Sequence, residues 1–164
     1  MAVINILTTD KKYDIIYADP PWKQSKGGKK SVRANSSGKP LDYHTCTLDE
    51  IEEHLKQAVS HTAENSVMFL WTIDKYLFEA QRIAESLGYK LHARMIWNKV
   101  TGIPAAFTIR FGHEYLLYMY KGKRHSQKPQ KAYEIIERLY PNTNRLEMYA
   151  RNERDGWDCW GNEV

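Results

Sequence analysis

An α/β fold built on a mainly parallel sheet with helices on its faces is what this 164-residue sequence predicts. Two observations carry that expectation. Short apolar, β-rich runs alternate along the chain with stretches whose apolar residues recur at helical spacing. The length fits one domain, taken as residues 1–164, which can bury roughly 70% of the surface its unfolded chain exposes. Neither disulfides nor a structural metal is needed to hold such a domain together.

Tyr13–Ala18 (YDIIYA) is the first strand and runs into Asp19-Pro20-Pro21-Trp22. Thr47 is a good N-cap, and Glu50 completes a capping box for a helix over Leu48–His61. Ile51, Leu55, Ala58 and Val59 form its apolar face. Ser66–Thr72 (SVMFLWT) reads as a buried strand. Asp74 is placed to cap a helix carrying Leu77, Phe78, Ile83, Ala84 and Leu87, closed by Gly88. Leu91–Trp97 is strand-like, Val100–Gly112 is a loop with two glycines and a proline, and Tyr115–Tyr120 (YLLYMY) is another buried strand. Pro129 suits a helix start, with Ala132, Ile135, Ile136 and Leu139 on one face before Pro141. Arg145–Ala150 (RLEMYA) is the last strand. Ligands on such sheets bind beyond the carboxyl ends of strands. Asp19 and Arg151 each follow a strand directly and are expected on that edge together.

Composition narrows the function. No apolar run approaches the ~20 residues of a membrane span, so no membrane partner is expected. The N-terminus has a six-residue apolar stretch and no basic segment before it, unlike a signal peptide. Cys46 and Cys159 stand alone and far apart, which points to a reducing, cytoplasmic setting. The net charge of +4 conceals a division. Residues 23–40 carry Lys23, Lys26, Lys29, Lys30, Arg33 and Lys39 with no acid, and residues 121–131 carry Lys121, Lys123, Arg124, Lys128 and Lys131 with none. Thirteen basic residues then face twenty acidic ones in the rest of the chain. Acid-free basic segments attract polyanions, above all nucleic-acid phosphates, through counterion release; the alternative for either alone is a solvated loop. Glycines and serines make 23–46 a mobile segment.

Asp-Pro-Pro-Trp after an apolar strand is the most informative tetrapeptide. Two prolines fix the backbone and remove two N–H donors, leaving the Asp19 and Pro20 carbonyls as rigid acceptors. Asp19 adds a carboxylate and Trp22 a flat ring. Together they suit a planar, amino-bearing ring, with acceptors aimed at its NH2 group and an aromatic wall to stack on. The competing reading is a tight turn with Trp22 in the core. His44-x-Cys46 has no second pair at zinc spacing, so no metal site is assigned. Trp71, Trp97 and Trp157 read as core residues.

YADPPW, SVMFLWT, ARMIWNK, SQKP, RLEMYAR and GWDCWGNE occur in the order found in the MT-A70 family, which this sequence resembles over roughly residues 13–164. That family comprises S-adenosylmethionine-dependent N6-adenine methyltransferases acting on DNA or RNA. The resemblance implies a Rossmann-like methyltransferase fold in circularly permuted order, with the catalytic strand first. It implies Asp19, Pro20, Pro21 and Trp22 as the catalytic motif, with Asp19 also beside the cofactor. It implies Lys128, Arg151 and Asn162 as cofactor contacts, with Glu163 next to the last. The family often has His-Asn after the strand arginine; here the stretch is Asn152-Glu153-Arg154, leaving Glu153 as the candidate ribose acceptor. The basic segment after Trp22 falls at the family's gate loop over the substrate. Residues 100–112, with Arg110, fall at a second one. Tyr43, His44 and Phe107 are candidate base contacts, weighed against packing roles.

The expected function is methyl transfer from S-adenosylmethionine to adenine N6 in DNA, in a bacterial or phage-infected cell. DNA is favoured over RNA by the small size and the lack of an appended RNA-binding zinc module. An RNA adenosine methyltransferase, a non-catalytic nucleic-acid-binding subunit and a small-molecule methyltransferase are the alternatives. The family pairs active with inactive subunits, so a homodimer or a partner subunit is a further expectation.

Overall fold

The computed structural model describes residues 4–6, 8–24, 44–99, 111–123, 136, 140–150, 152–153 and 155–161. Most of the first basic segment, the loop after Val100 and nearly all of the helix expected after Pro129 lie outside them.

Six strands form one sheet: β1 (Tyr13–Ala18), β2 (Thr62–Thr72), β3 (Lys90–Asn98), β4 (His113–Lys121), β5 (Arg145–Met148) and β6 (Asp158–Trp160), in the spatial order β3-β4-β2-β1-β5-β6. β1 lies centrally and pairs in parallel with β2 and β5, and β5 pairs in parallel with β6. A strand buried on both faces reads as a continuous apolar run, which is why YDIIYA was legible. The other half of the sheet departs from the parallel pattern, because β4 is antiparallel to both β2 and β3. The segment between β3 and β4 carries no helical pattern, and a parallel return needs a long crossover, usually helical. The sheet is thus parallel at three of its five pairings.

Alternate residues of β1 feed two cores. Ile16 and Ala18 pack with Met68, Leu70, Leu117 and Leu146 under the helices α1 (Leu48–Ser60) and α2 (Leu77–Ser86). Ile15 and Tyr17 pack on the other face with Phe69, Tyr118, Ile136 and Trp157. This is the period-two alternation of strand side chains. Helix α1 buries Ile51, Leu55 and Ala58 and starts at the expected capping box. The Glu50 N–H donates to Thr47 Oγ1, and the Thr47 N–H donates to the Glu50 carboxylate at 2.7 Å.

The Thr47 N–H and the Thr47 hydroxyl both donate to the Glu50 carboxylate and hold its carboxyl below the usual carboxylate range. A depressed carboxyl stabilises the fold above its unfolded value, and that contribution disappears as pH falls through its folded one. Thr47→Ala is expected to cost about 1 kcal/mol, a fall in Tm of roughly 2–4 °C at this size. Glu50→Gln, which removes the titrating carboxyl, should flatten the acid side of a Tm–pH profile, read by calorimetry, whereas Thr47→Ala keeps the backbone N–H to Glu50 and should flatten it only in part. An unchanged profile would contradict the assignment.

Three expectations need correction. Asp74 does not cap α2: Asp74–Tyr76 form a one-turn 3-10 helix, and α2 begins at Leu77 with no side-chain cap bond. Phe78 is not on the buried face but 76% exposed. Ala80, Ile83 and Ala84 face the sheet, as the i, i+3, i+4 rule requires when Leu77 faces it. The last expected strand stops at Met148 because Tyr149 adopts φ 62, and the three-residue β6, too short to show periodicity, follows.

Candidate active site

The register of β1 brings Ala18 opposite Leu70 on one side and Met148 on the other. Asp19 therefore emerges just beyond the carboxyl edge, exposed, with its N–H directed at the Met148 carbonyl at 3.4 Å. The tetrapeptide is fastened at several points. The Trp22 N–H donates to the Pro20 carbonyl at 2.8 Å, and the Cys46 N–H donates to the Pro21 carbonyl at 2.9 Å. Trp22 and Cys46 form an isolated bridge. The ends of the first basic segment are thereby pinned beside each other, with Lys23 and His44 exposed on either side. Burial, with Glu50 nearby, pushes the Cys46 thiol up, so this cysteine remains an inert thiol.

Trp22 does not offer the free face expected of it. It is 3% exposed, its Nε1–H donates to the Trp71 carbonyl at 3.0 Å, and its ring stacks on Tyr76 with centroids 5.3 Å apart. The Tyr76 hydroxyl in turn donates to the Lys23 carbonyl at 2.6 Å. Trp22 is a strut fixing the turn to the end of β2. The Pro20 carbonyl spends one lone pair on Trp22 and has a second by its chemistry.

A cleft of about 560 Å³ opens against this turn. Its walls are the carboxyl ends of β1, β2 and β3 and the start of β4, which the antiparallel pairing brings to the same edge. Asp19, Pro20 and Asp74 line one side; Trp97, Phe111 and His113 line the other. Trp97 overturns its assignment to the core, since it is 52% exposed. It is held edge-on by Trp71 at 5.9 Å, and Trp71 Nε1–H donates to the Tyr17 hydroxyl at 2.7 Å. Lys99 lies 5.4 Å from the centre of the Trp97 ring and forms an ion pair with Glu114. Its N–H closes the base of the following segment on the Gly112 carbonyl at 2.7 Å. Half-exposed, rigidly buttressed aromatic rings beside a carboxylate form a surface for a planar ligand. The signal missed in the sequence was position: Trp97 is the penultimate residue of a strand ending on the ligand-binding edge.

Of the remaining candidates, Glu153 is exposed and does not line this cleft. Lys26, Lys29, Lys30, Arg33, Lys39, Tyr43, Arg110, Lys128, Arg151, Asn162 and Glu163 lie outside the described residues. The second basic segment starts away from the cleft. It begins at Lys121, the last residue of antiparallel β4, and Lys121 Nζ donates to Thr62 Oγ1 at 2.8 Å. Thr62 opens β2 and Thr72 ends it at the cleft. Lys121 is level with Ser66, whereas Asp19 lies one residue beyond the Ala18–Leu70 pair, so Lys121 stands about 17 Å from the level of Asp19 along the strands, at the opposite edge.

The family model MT-A70 matches residues 13–115 and 113–163. The chain is 27% identical to the type II methyltransferase M.MunI of a Mycoplasma species, over 94% of this chain and 78% of that protein. It is 26% identical to a putative N(6)-adenosine-methyltransferase MT-A70-like protein of Medicago truncatula, over 93% of this chain and 26% of the relative. Against the human N(6)-adenosine-methyltransferase catalytic subunit METTL3 it is 24% identical, over 93% and 28%. The chain spans about a quarter of the plant and human relatives.

Proposed function

The chain belongs to the MT-A70 family of N6-adenine methyltransferases, and from that premise we propose that it methylates N6 of adenine in DNA, using S-adenosylmethionine. The observation that carries the reading is the fastened Asp19-Pro20-Pro21-Trp22 turn opening on a cleft with an exposed aromatic wall. DNA is favoured because the match spans 78% of a type II methyltransferase but about a quarter of the adenosine methyltransferases.

The residues present fit the cofactor. A cleft of about 560 Å³ is in the range of small-ligand sites, and the Asp19 and Asp74 carboxylates with aromatic rings nearby suit a cationic group. When bound, S-adenosylmethionine supplies an activated methyl group on a positively charged sulfur. Everything else falls to the protein. Adenine N6 is a weak nucleophile because its lone pair is delocalised into the ring. The Asp19 carboxylate and the remaining lone pair of the Pro20 carbonyl accept the two N6 hydrogens. That favours a more pyramidal nitrogen and strengthens as positive charge develops on it. The rigidity of the turn aligns the nitrogen before reaction and lowers the entropic part of the barrier. One N6 proton would leave to Asp19 or to water once the methyl carbon had exchanged its C–S bond, whose electron pair stays on sulfur, for the new C–N bond. A duplex substrate must first release its base from the stack, and Trp97, rather than Trp22, receives it.

Trp97→Ala is expected to raise the nucleic-acid KM roughly 5- to 150-fold, from a stacking contribution of about 1–3 kcal/mol, with Tm little changed. An unaltered KM would remove Trp97 from the site. The function itself is tested with DNA and RNA oligonucleotides of matched sequence, reading N6-methyladenine by mass spectrometry. Preferential methylation of DNA, weakened by salt, is the expected result. Preference for RNA would move the chain to the adenosine methyltransferases, and absence of S-adenosylmethionine binding in calorimetry would reduce it to a partner subunit.

A further inference from the structure

The turn that leaves β5 is held from across the core. Tyr149 has φ 62, an uncommon conformation for a bulky aromatic residue, which persists where its surroundings over-determine it. Those surroundings are specific. His54 of α1 places Nδ1 2.9 Å from the Tyr149 hydroxyl, with ring centroids 5.9 Å apart. Trp160 of β6 meets both rings edge-on, at 5.3 Å from His54 and 5.7 Å from Tyr149. Helix α1 is itself anchored by its capping box.

Tyr149 is also the joint between two parts of the catalytic edge. On one side, Asp19 directs its N–H at Met148. On the other, the Ala150 N–H donates to the Trp160 carbonyl at 3.0 Å, and Gly161 packs against the backbone of Tyr149 and Ala150. A change of φ at Tyr149 would swing Ala150 away from Trp160 and uncouple that crossing from Asp19.

We propose that His54 is a positioning residue: by accepting the Tyr149 hydroxyl it locks the left-handed turn that sets Ala150 and Gly161 side by side next to Asp19. The link to the cofactor rests on the methyltransferase reading, in which Arg151 and Asn162, the residues following this crossing, contact S-adenosylmethionine. The donor and acceptor roles follow from protonation. Burial pushes the Tyr149 hydroxyl up, so it keeps its proton and donates. Burial also lowers His54, against the upward pull of Glu50 and Glu53 on its own helix and with a smaller push down from His44. Lowering favours the neutral ring near pH 7, and in the tautomer protonated at Nε2 its Nδ1 accepts the Tyr149 hydroxyl.

The test compares His54→Phe, Tyr149→Phe and His54→Gln. Two readouts are taken on each: hydrogen exchange at the Ala150 amide without cofactor, and S-adenosylmethionine affinity by calorimetry. His54→Phe and Tyr149→Phe should speed Ala150 exchange and weaken the cofactor Kd, each by roughly three- to tenfold, the worth of one hydrogen bond. His54→Gln, whose amide oxygen can accept the same hydroxyl, should restore both readouts. Tyr149→Phe removes a single oxygen and guards against a simple folding failure. Unchanged exchange and affinity in the two phenylalanine variants would overturn the lock, as would a glutamine variant no better than phenylalanine. If the wild-type chain binds no S-adenosylmethionine, the methyltransferase reading falls, and the exchange comparison still decides the lock.

Discussion

Asp19→Ala will lower kcat by at least roughly 10²- to 10³-fold, the loss seen when one preorganised group facing developing charge is removed. Affinity for S-adenosylmethionine will fall far less than kcat, because the Asp74 carboxylate and the aromatic rings that line the same cleft remain. The size of the effect follows from where Asp19 sits. It is exposed at the end of a central strand paired on both sides, on a turn whose carbonyls are bonded to Trp22 and Cys46. Losing the carboxylate leaves the Pro20 carbonyl without its partner acceptor for the two N6 hydrogens. Tm should shift by no more than about 2 °C, because an exposed substitution seldom costs more than about 0.5 kcal/mol. Asp19→Asn is the sharper probe, since its amide oxygen can still accept from N6 while the negative charge of the carboxylate is lost; its kcat should fall less than that of Asp19→Ala. Single-turnover rates and calorimetric binding on the same preparations check both halves. Near-normal turnover in Asp19→Ala would eliminate Asp19 from the mechanism.

Gly161→Ala will damage stability and cofactor binding together. A Cβ at this position would lie 2.5 Å from the Ala150 carbonyl oxygen, 2.7 Å from the Ala150 nitrogen and 3.0 Å from the Tyr149 carbonyl carbon. These are backbone atoms of a turn already held at φ 62, so they cannot swing aside as a side chain would. Overpacking of this kind costs about 1–3 kcal/mol, a fall in Tm of roughly 2–12 °C. The Ala150–Trp160 hydrogen bond is the first casualty, and the cofactor Kd should rise with it. Gly88→Ala is the control. Its Cβ would meet nothing nearer than the Lys121 Cδ at 3.8 Å, so it bears the cost of its φ of 90° alone. Thermal melts and calorimetry on the pair separate steric closeness from backbone conformation. Equal behaviour of the two variants would contradict this account of the crossing.

Much of the local structure was legible residue by residue. All five expected strands are present, because each is either a continuous apolar run or a short β-rich stretch bounded by breakers. The Thr47–Glu50 capping box reads from spacing alone, since both of its bonds close within one turn. Asp19 could be placed at the ligand-binding edge because a strand's direction and the Pro-Pro stop leave it no alternative. Phe78, Tyr149 and β6 escaped notice for the opposite reason. Which residue of a helix faces a sheet, and where a strand must turn, depend on neighbours far away in sequence.

The Asp19-Pro20-Pro21-Trp22 tetrapeptide, its place after an apolar strand and the family were legible in the sequence, because they reside in contiguous residues. Tertiary structure decided the fates of the two tryptophans and of the second basic segment. Trp22 is buried because Trp71 and Tyr76 close over it, and Trp97 is exposed because antiparallel β4 brings its strand to the cleft. The same antiparallel step carries Lys121 and Lys123 to the opposite edge. Strand direction within a sheet is settled by pairing between distant segments, and no local pattern of residues encodes it.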